Sequence, residues 1–197
     1  MEKAELNKTM HLSENFTLGE VTKTSVKTAD GRSATQGDAL LAKNIPSHVA
    51  IENLKNLCEN WLEDLRYSYN VLYPSCHREG TPVMSSVVET SHEISPCASL
   101  SRDDNPIIIT SGYRSPEVNR AVGGSPTSNH LTGCAVDIRC AGFEQALRYA
   151  NILLDISDGT KQDYDELFIE RSKQGRYWIH FAVRPKDNRR KTAFILT

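Results

Sequence analysis

The chain has 197 residues, 39% hydrophobic and 24% charged, with a formal net charge of -2. That balance is the one expected of a globular protein large enough to bury one core. It gives no strongly basic face for nucleic acid, and no stretch reaches the roughly 20 apolar residues of a membrane span, so neither partner is expected.

The N-terminal residues are polar and lack the apolar core of a signal peptide, which predicts synthesis in the cytoplasm. Residues 1–15 are expected to be loosely ordered, and 16–197 to form a single domain with an insertion at about 71–105. Thr17-Leu-Gly-Glu20 has the form of a capping box, with Phe16 before it as a staple, and predicts a short helical turn. Residues 22–45 show no period and read as loop. Ser47 is a good N-cap, and Ile51, Leu54, Cys58, Trp61 and Leu65 fall on one face of the helix it opens.

Pro74, Gly80, Pro82 and Pro96, among many serines, break that pattern and mark the insertion, with a strand expected near Val83–Val88. Pro106–Thr110 reads as a buried strand. Ser115-Pro116 caps a short helix to about Ala121, which Gly123-Gly124 ends. Ala135–Arg139 reads as another strand. Phe143, Ala146, Leu147, Ala150, Leu153 and Leu154 mark a second amphipathic helix. Two further strands, Leu167–Glu170 and Tyr177–Val183, flank a turn. Arg189, Arg190 and Lys191 read as a solvated tail turn. Helices early and strands mostly late predict an α+β fold, with helices packed on one face of a largely antiparallel sheet.

The five cysteines, at 58, 76, 97, 134 and 140, are odd in number and irregular in spacing, which argues against a disulfide framework. Cys76-His77 and His92 with Cys97 match no common zinc-finger spacing and read as ordinary reduced residues.

His130 lies in Ser128-Asn-His-Leu-Thr-Gly133, Asp137 follows in the strand Ala-Val-Asp-Ile, and His180 sits in Tyr-Trp-Ile-His-Phe-Ala-Val. A polar side chain amid an apolar strand must find a partner, because burying it alone costs on the order of several kcal/mol. A shared metal ion would serve both Asp137 and His180. Two imidazoles and one carboxylate make a three-ligand zinc set with an open fourth position, which metal-assisted hydrolysis requires. On spacing alone, His130 reads equally as a surface-loop histidine, and Asp137 as the partner of an arginine such as Arg139.

The run from Ser111 to Ile138, Ser-Gly-Tyr-Arg-Ser-Pro-Glu-Val-Asn-Arg-Ala-Val-Gly-Gly-Ser-Pro-Thr-Ser-Asn-His-Leu-Thr-Gly-Cys-Ala-Val-Asp-Ile, followed downstream by Trp178-Ile-His180, resembles the zinc D-Ala-D-Ala carboxypeptidase family. That family includes L-alanyl-D-glutamate endopeptidases of phages and bacteria and shares its fold with the hedgehog signalling domain. The resemblance implies a hedgehog/DD-peptidase-like fold, a Zn2+ cofactor held by His130, Asp137 and His180, and hydrolysis of peptidoglycan stem peptides. It implies that Arg114 binds a substrate carboxylate or the oxyanion of the attacked carbonyl. Ser128 would hydrogen-bond substrate or brace the His130 loop, and Tyr113 would line the cleft.

Some relatives carry an acidic or histidine residue three positions before the last ligand, where this chain has Tyr177. The replacement is Glu170, as in the branch whose strand ends in Glu before Trp-x-His. An even-sum hairpin register, with 170 opposite 178 or 180, would put Glu170 and His180 on one face. Asp165 and Glu166 are fallbacks. The rival expectation is a non-catalytic, zinc-containing module that binds cell wall or protein. An enzyme without an export signal would act on the wall after lysis, as a phage-derived protein does.

Overall fold

The computed structural model describes residues 7–24, 26, 43–74 and 105–197. The expected strand at Val83–Val88, most of the insertion, and the Cys76, His77, His92 and Cys97 group lie outside the described residues. Residues 7–15, expected to be loosely ordered, are tied to the body instead. His11 bridges Thr17, Leu12 is buried, and Glu63 accepts hydrogen bonds from Ser13 and Asn15.

Helix α1 spans Leu18–Val21, and the Glu20 carboxylate accepts the Thr17 N–H at 3.0 Å to complete its capping box. Helix α2, His48–Leu57, starts where Ser47 Oγ accepts the Ala50 N–H. A π-helical turn, Cys58–Leu62, joins it without a break to α3, Glu63–Leu72. The extra residue of that turn lets Leu57, Cys58, Trp61, Leu62 and Leu65 all reach the core. Strand β1, Ile109–Ser111, leads to α4, Pro116–Ala121, whose cap is Ser115 as expected. A 3-10 turn, Asn129–Thr132, precedes β2, Ala135–Cys140. Helix α5, Phe143–Thr160, is followed by β3, Glu166–Arg171, β4, Tyr177–Ala182, and β5, Lys191–Leu196.

Among the described residues the strands form one sheet in the order β1-β2-β4-β3-β5, antiparallel except for the β3–β5 pair. The α+β expectation is met. Val136 and Ile138 of β2, Ile179 and Phe181 of β4 and Leu167 of β3 join Leu54, Trp61, Leu65, Tyr149 and Leu153 in one core cluster. The helices thus cover one face, and the alternation of strand side chains sends Asp137, Arg139, Trp178, His180, Glu166, Phe168 and Glu170 to the other.

Two expectations need correction. Arg189–Lys191 is not a solvated tail turn: Arg189 and Arg190 form ion pairs with Asp165, Glu166, Asp158 and Asp163, and Lys191 opens β5. The α5 stripe is also rotated. Phe143 and Leu147 are exposed, and Tyr149 and Ile152 take the core side with Ala146, Ala150 and Leu153.

Candidate metal centre

His130 is positioned by backbone geometry more than by packing. Ser128 Oγ caps the 3-10 turn by accepting the His130 N–H at 3.3 Å. Gly133 ends the turn at φ 72°, and a Cβ there would meet the Ala50 carbonyl oxygen at 2.4 Å. Both the left-handed conformation and the close approach of α2 therefore call for glycine. His130 Nδ1 lies 2.7 Å from the Gly112 carbonyl, an acceptor, so Nδ1 carries a proton and Nε2 is the nitrogen left to face Asp137 or a metal. Gly112 in turn presses on Val21, whose carbonyl oxygen would stand 1.9 Å from an added Cβ.

Nε2 of His130 faces Asp137 Oδ1 at 3.3 Å. Asp137 pairs across the strands with His180, whose Nδ1 is 3.0 Å from the same oxygen. His130, Asp137 and His180 are 2%, 8% and 9% exposed. Each offers one ligand atom, and these atoms lie within 4.8 Å of one another. The other Asp137 oxygen, Oδ2, accepts a hydrogen bond from Arg114 Nη2, and Arg114 Nε donates to Ser111 Oγ at 2.7 Å. So Asp137 has an arginine partner, Arg114 rather than Arg139.

Charge explains the clustering. Burial works against ionisation of Asp137, but the His130 and His180 rings outweigh it and hold the carboxyl well below the usual range. Burial pushes His130 down despite Asp137. Burial also opposes the His180 charge, yet hydrogen bonds to Asp137 and Glu166 lift its pKa to about 9. Asp137 is therefore a buried anion around which positive charge collects, and a divalent cation meets the same demand. Each ring turns one nitrogen to the Asp137 carboxylate and rests the other on a fixed acceptor, Gly112 O for His130 and Glu166 Oε2 for His180. That is the arrangement of metal-binding histidines with oriented outer partners. The two-nitrogen, one-oxygen donor set fits zinc.

The register of β3 on β4 sets Phe168 opposite His180 and Glu170 opposite Trp178. The even-sum pairing holds, and Glu170 shares the face of His180 one row along. Among the described residues no hydrogen bond or ion pair engages the Glu170 carboxylate. Burial raises its pKa, only partly offset by His180. Glu166 is differently placed: its hydrogen bond to His180, with Asn129 and Arg189 beside it, lowers its pKa. Tyr177 lies on the opposite parity from His180 and packs on Phe143, 5.7 Å between ring centroids. Tyr113 is buried in the core cluster, and Ser128 braces the His130 loop.

Sequence reasoning did not see the part played by Arg189, nor the contacts of Asn129. Asn129 Nδ2 donates to Asp165 Oδ2 at 2.8 Å and to Glu166 Oε2 at 3.0 Å. The signal available was parity alone, since Glu166, Phe168 and Glu170 alternate onto one face.

Residues 76–155 match the family model described as Peptidase M15. The match takes in Arg114, Ser128, His130 and Asp137 and stops before Glu166, Glu170 and His180. No curated protein matches the chain.

Proposed function

With the Peptidase M15 match bearing out the resemblance to the zinc D-Ala-D-Ala carboxypeptidase family, we propose that this chain is a zinc peptidase that hydrolyses peptide bonds in peptidoglycan stem peptides. One observation carries the reading. Three metal-ligating side chains converge on the uncovered face of the sheet, and an unengaged carboxylate lies one row away on the same face.

His130, through Nε2, Asp137, and His180, through Nδ1, would hold the ion. When bound, zinc supplies Lewis acidity toward a carbonyl and lowers the pKa of water. Glu170 takes the proton of the attacking water and returns it to the departing amine. Its partial burial and raised pKa suit a base that must also serve as an acid. Glu166 is the weaker candidate, because Arg189 and Asn129 already occupy its oxygens. Arg114 uses Nε and Nη2 on Ser111 and Asp137, which leaves further N–H donors of its fork for a substrate carboxylate or developing oxyanion. Ser128 keeps the His130 loop in place, and Tyr113 is held in the core cluster.

The test is to incubate zinc-loaded protein with purified peptidoglycan and analyse the muropeptides by mass. Release of D-alanine supports the carboxypeptidase form, and new L-alanine carboxyl termini the endopeptidase form. Zinc uptake and wall binding with no new amino groups would instead support the non-catalytic module.

A further inference from the structure

The Arg189 cluster has no part in the mechanism above, yet it reaches two of the three elements that carry the ligands, the 3-10 turn of His130 and the β4 strand of His180. Asp165 is fully buried and takes Arg189 Nε at 2.7 Å, Arg189 Nη2 at 2.5 Å and the Arg189 backbone N–H at 3.2 Å. Arg184 stands 3.5 Å from the same carboxylate. Burial disfavours the Asp165 charge, but Arg189 and Asn129 outweigh it and keep the group ionised. Arg189 is thereby fixed at two nitrogens, and its Nη2 also reaches Glu166 Oε1 at 2.7 Å. Asn129, the neighbour of His130, holds the other Glu166 oxygen at 3.0 Å. That same oxygen, Oε2, lies 3.4 Å from His180 Nε2. Phe168 stacks on the His180 ring at 5.7 Å, with 19° between the planes.

We propose that Glu166, gripped by Arg189 and Asn129, is a positioning residue of the metal centre: it accepts the His180 Nε2–H and so holds that ring with Nδ1 turned to Asp137. The inference rests on the zinc reading and deepens it. A ring on a strand can flip about its Cβ–Cγ bond and present either nitrogen. The stack with Phe168 restricts the plane of the ring without distinguishing its two edges. A fixed acceptor on one edge does distinguish them, and an anionic acceptor also makes the opposite nitrogen a stronger donor to a cation. The two carboxylates of β3 then divide the work, Glu170 free to move protons and Glu166 committed to orientation. The C-terminal segment, through Arg189, becomes part of the site without touching substrate.

Zinc affinity measured by chelator competition, with melting of the zinc-free protein as control, tests this. Glu166→Ala should weaken zinc binding roughly 10- to 100-fold, as loss of an outer partner does elsewhere. Glu166→Gln keeps an oxygen acceptor and should stay within about threefold of wild type. Equal zinc affinity in wild type and Glu166→Ala would overturn the positioning role while leaving the zinc reading intact. A wild-type protein that takes up no zinc would sink both. Should Glu166→Ala not fold, nitrogen NMR of the zinc-loaded wild type decides. His180 bound through Nδ1, with a slowly exchanging Nε2 proton, is the expected result. A ring bound through Nε2 overturns the proposal.

Discussion

The covered and open faces of the sheet are built from the same strands by residues one position apart. Val136 and Ile138 enter the core while Asp137 between them points to the open side, and Ile179 and Phe181 do the same around His180. On the covered face, fit among apolar neighbours is enough. On the open face the polar groups are chained to one another: Asp137 has both histidines and Arg114, His180 has Glu166, and Glu166 has Arg189, while the Glu170 carboxylate has no hydrogen bond or ion pair among the described residues. Period-two alternation therefore separates what stabilises the protein from what could act chemically. A register slip of one residue would exchange the two sets.

The largest effect that would sharpen this contrast falls on the open face. Glu170→Gln should lower turnover on peptidoglycan by roughly 10²- to 10⁴-fold, the usual contribution of general acid–base catalysis, with melting and zinc content unchanged. Full activity in that variant would move the proton-transfer role off Glu170. A change on the covered face should show the converse. Phe181 is fully buried against Trp61, with ring centroids 5.1 Å apart, and adjoins His180 in sequence. Phe181→Ala should cost about 3–5 kcal/mol in denaturant melts. Turnover per folded molecule should stay close to wild type at a temperature where the variant remains folded. A loss of turnover far beyond the unfolded fraction would break the separation of the faces.

Legibility in the sequence followed the same division. As candidate ligands, Asp137 and His180 were readable because each stands as a polar exception in an apolar strand, whereas His130, in a polar loop, was readable through the family-like run from Ser111 to Ile138. Glu170 was readable only conditionally, through the parity of a hairpin whose register the sequence did not state. Strand β5 was not readable. Its residues are mostly exposed and do not alternate, and its pairing with β3 is parallel and non-local. The π-helical turn escaped because Leu57-Cys58 and Trp61-Leu62 are both apolar pairs, so a helical period fits with or without one added residue. Arg189 was read from its neighbours in sequence as a solvated turn, whereas its role comes from Asp165 and Glu166, at the start of β3 more than twenty positions earlier.

The smallest effect bears on whether the faces are independent at all. Helix α2 belongs to the covered side, yet its first turns touch the metal-site loop: the Ala50 carbonyl presses on Gly133, and Asn53 Nδ2 donates to the Thr132 carbonyl at 2.8 Å. Ser47 caps that helix by accepting the Ala50 N–H at 3.2 Å. Ser47→Ala should therefore cost about 1 kcal/mol of stability, the typical value of a lost N-cap, seen as a small drop in melting temperature. Because Gly133 and the Ser128 cap still fix the loop from their own side, zinc affinity and turnover should not change. A drop in zinc affinity with so small a loss of stability would mean that the entry of α2 sets the position of His130. The helix layer would then be part of the site, and the sheet would no longer divide structure from chemistry.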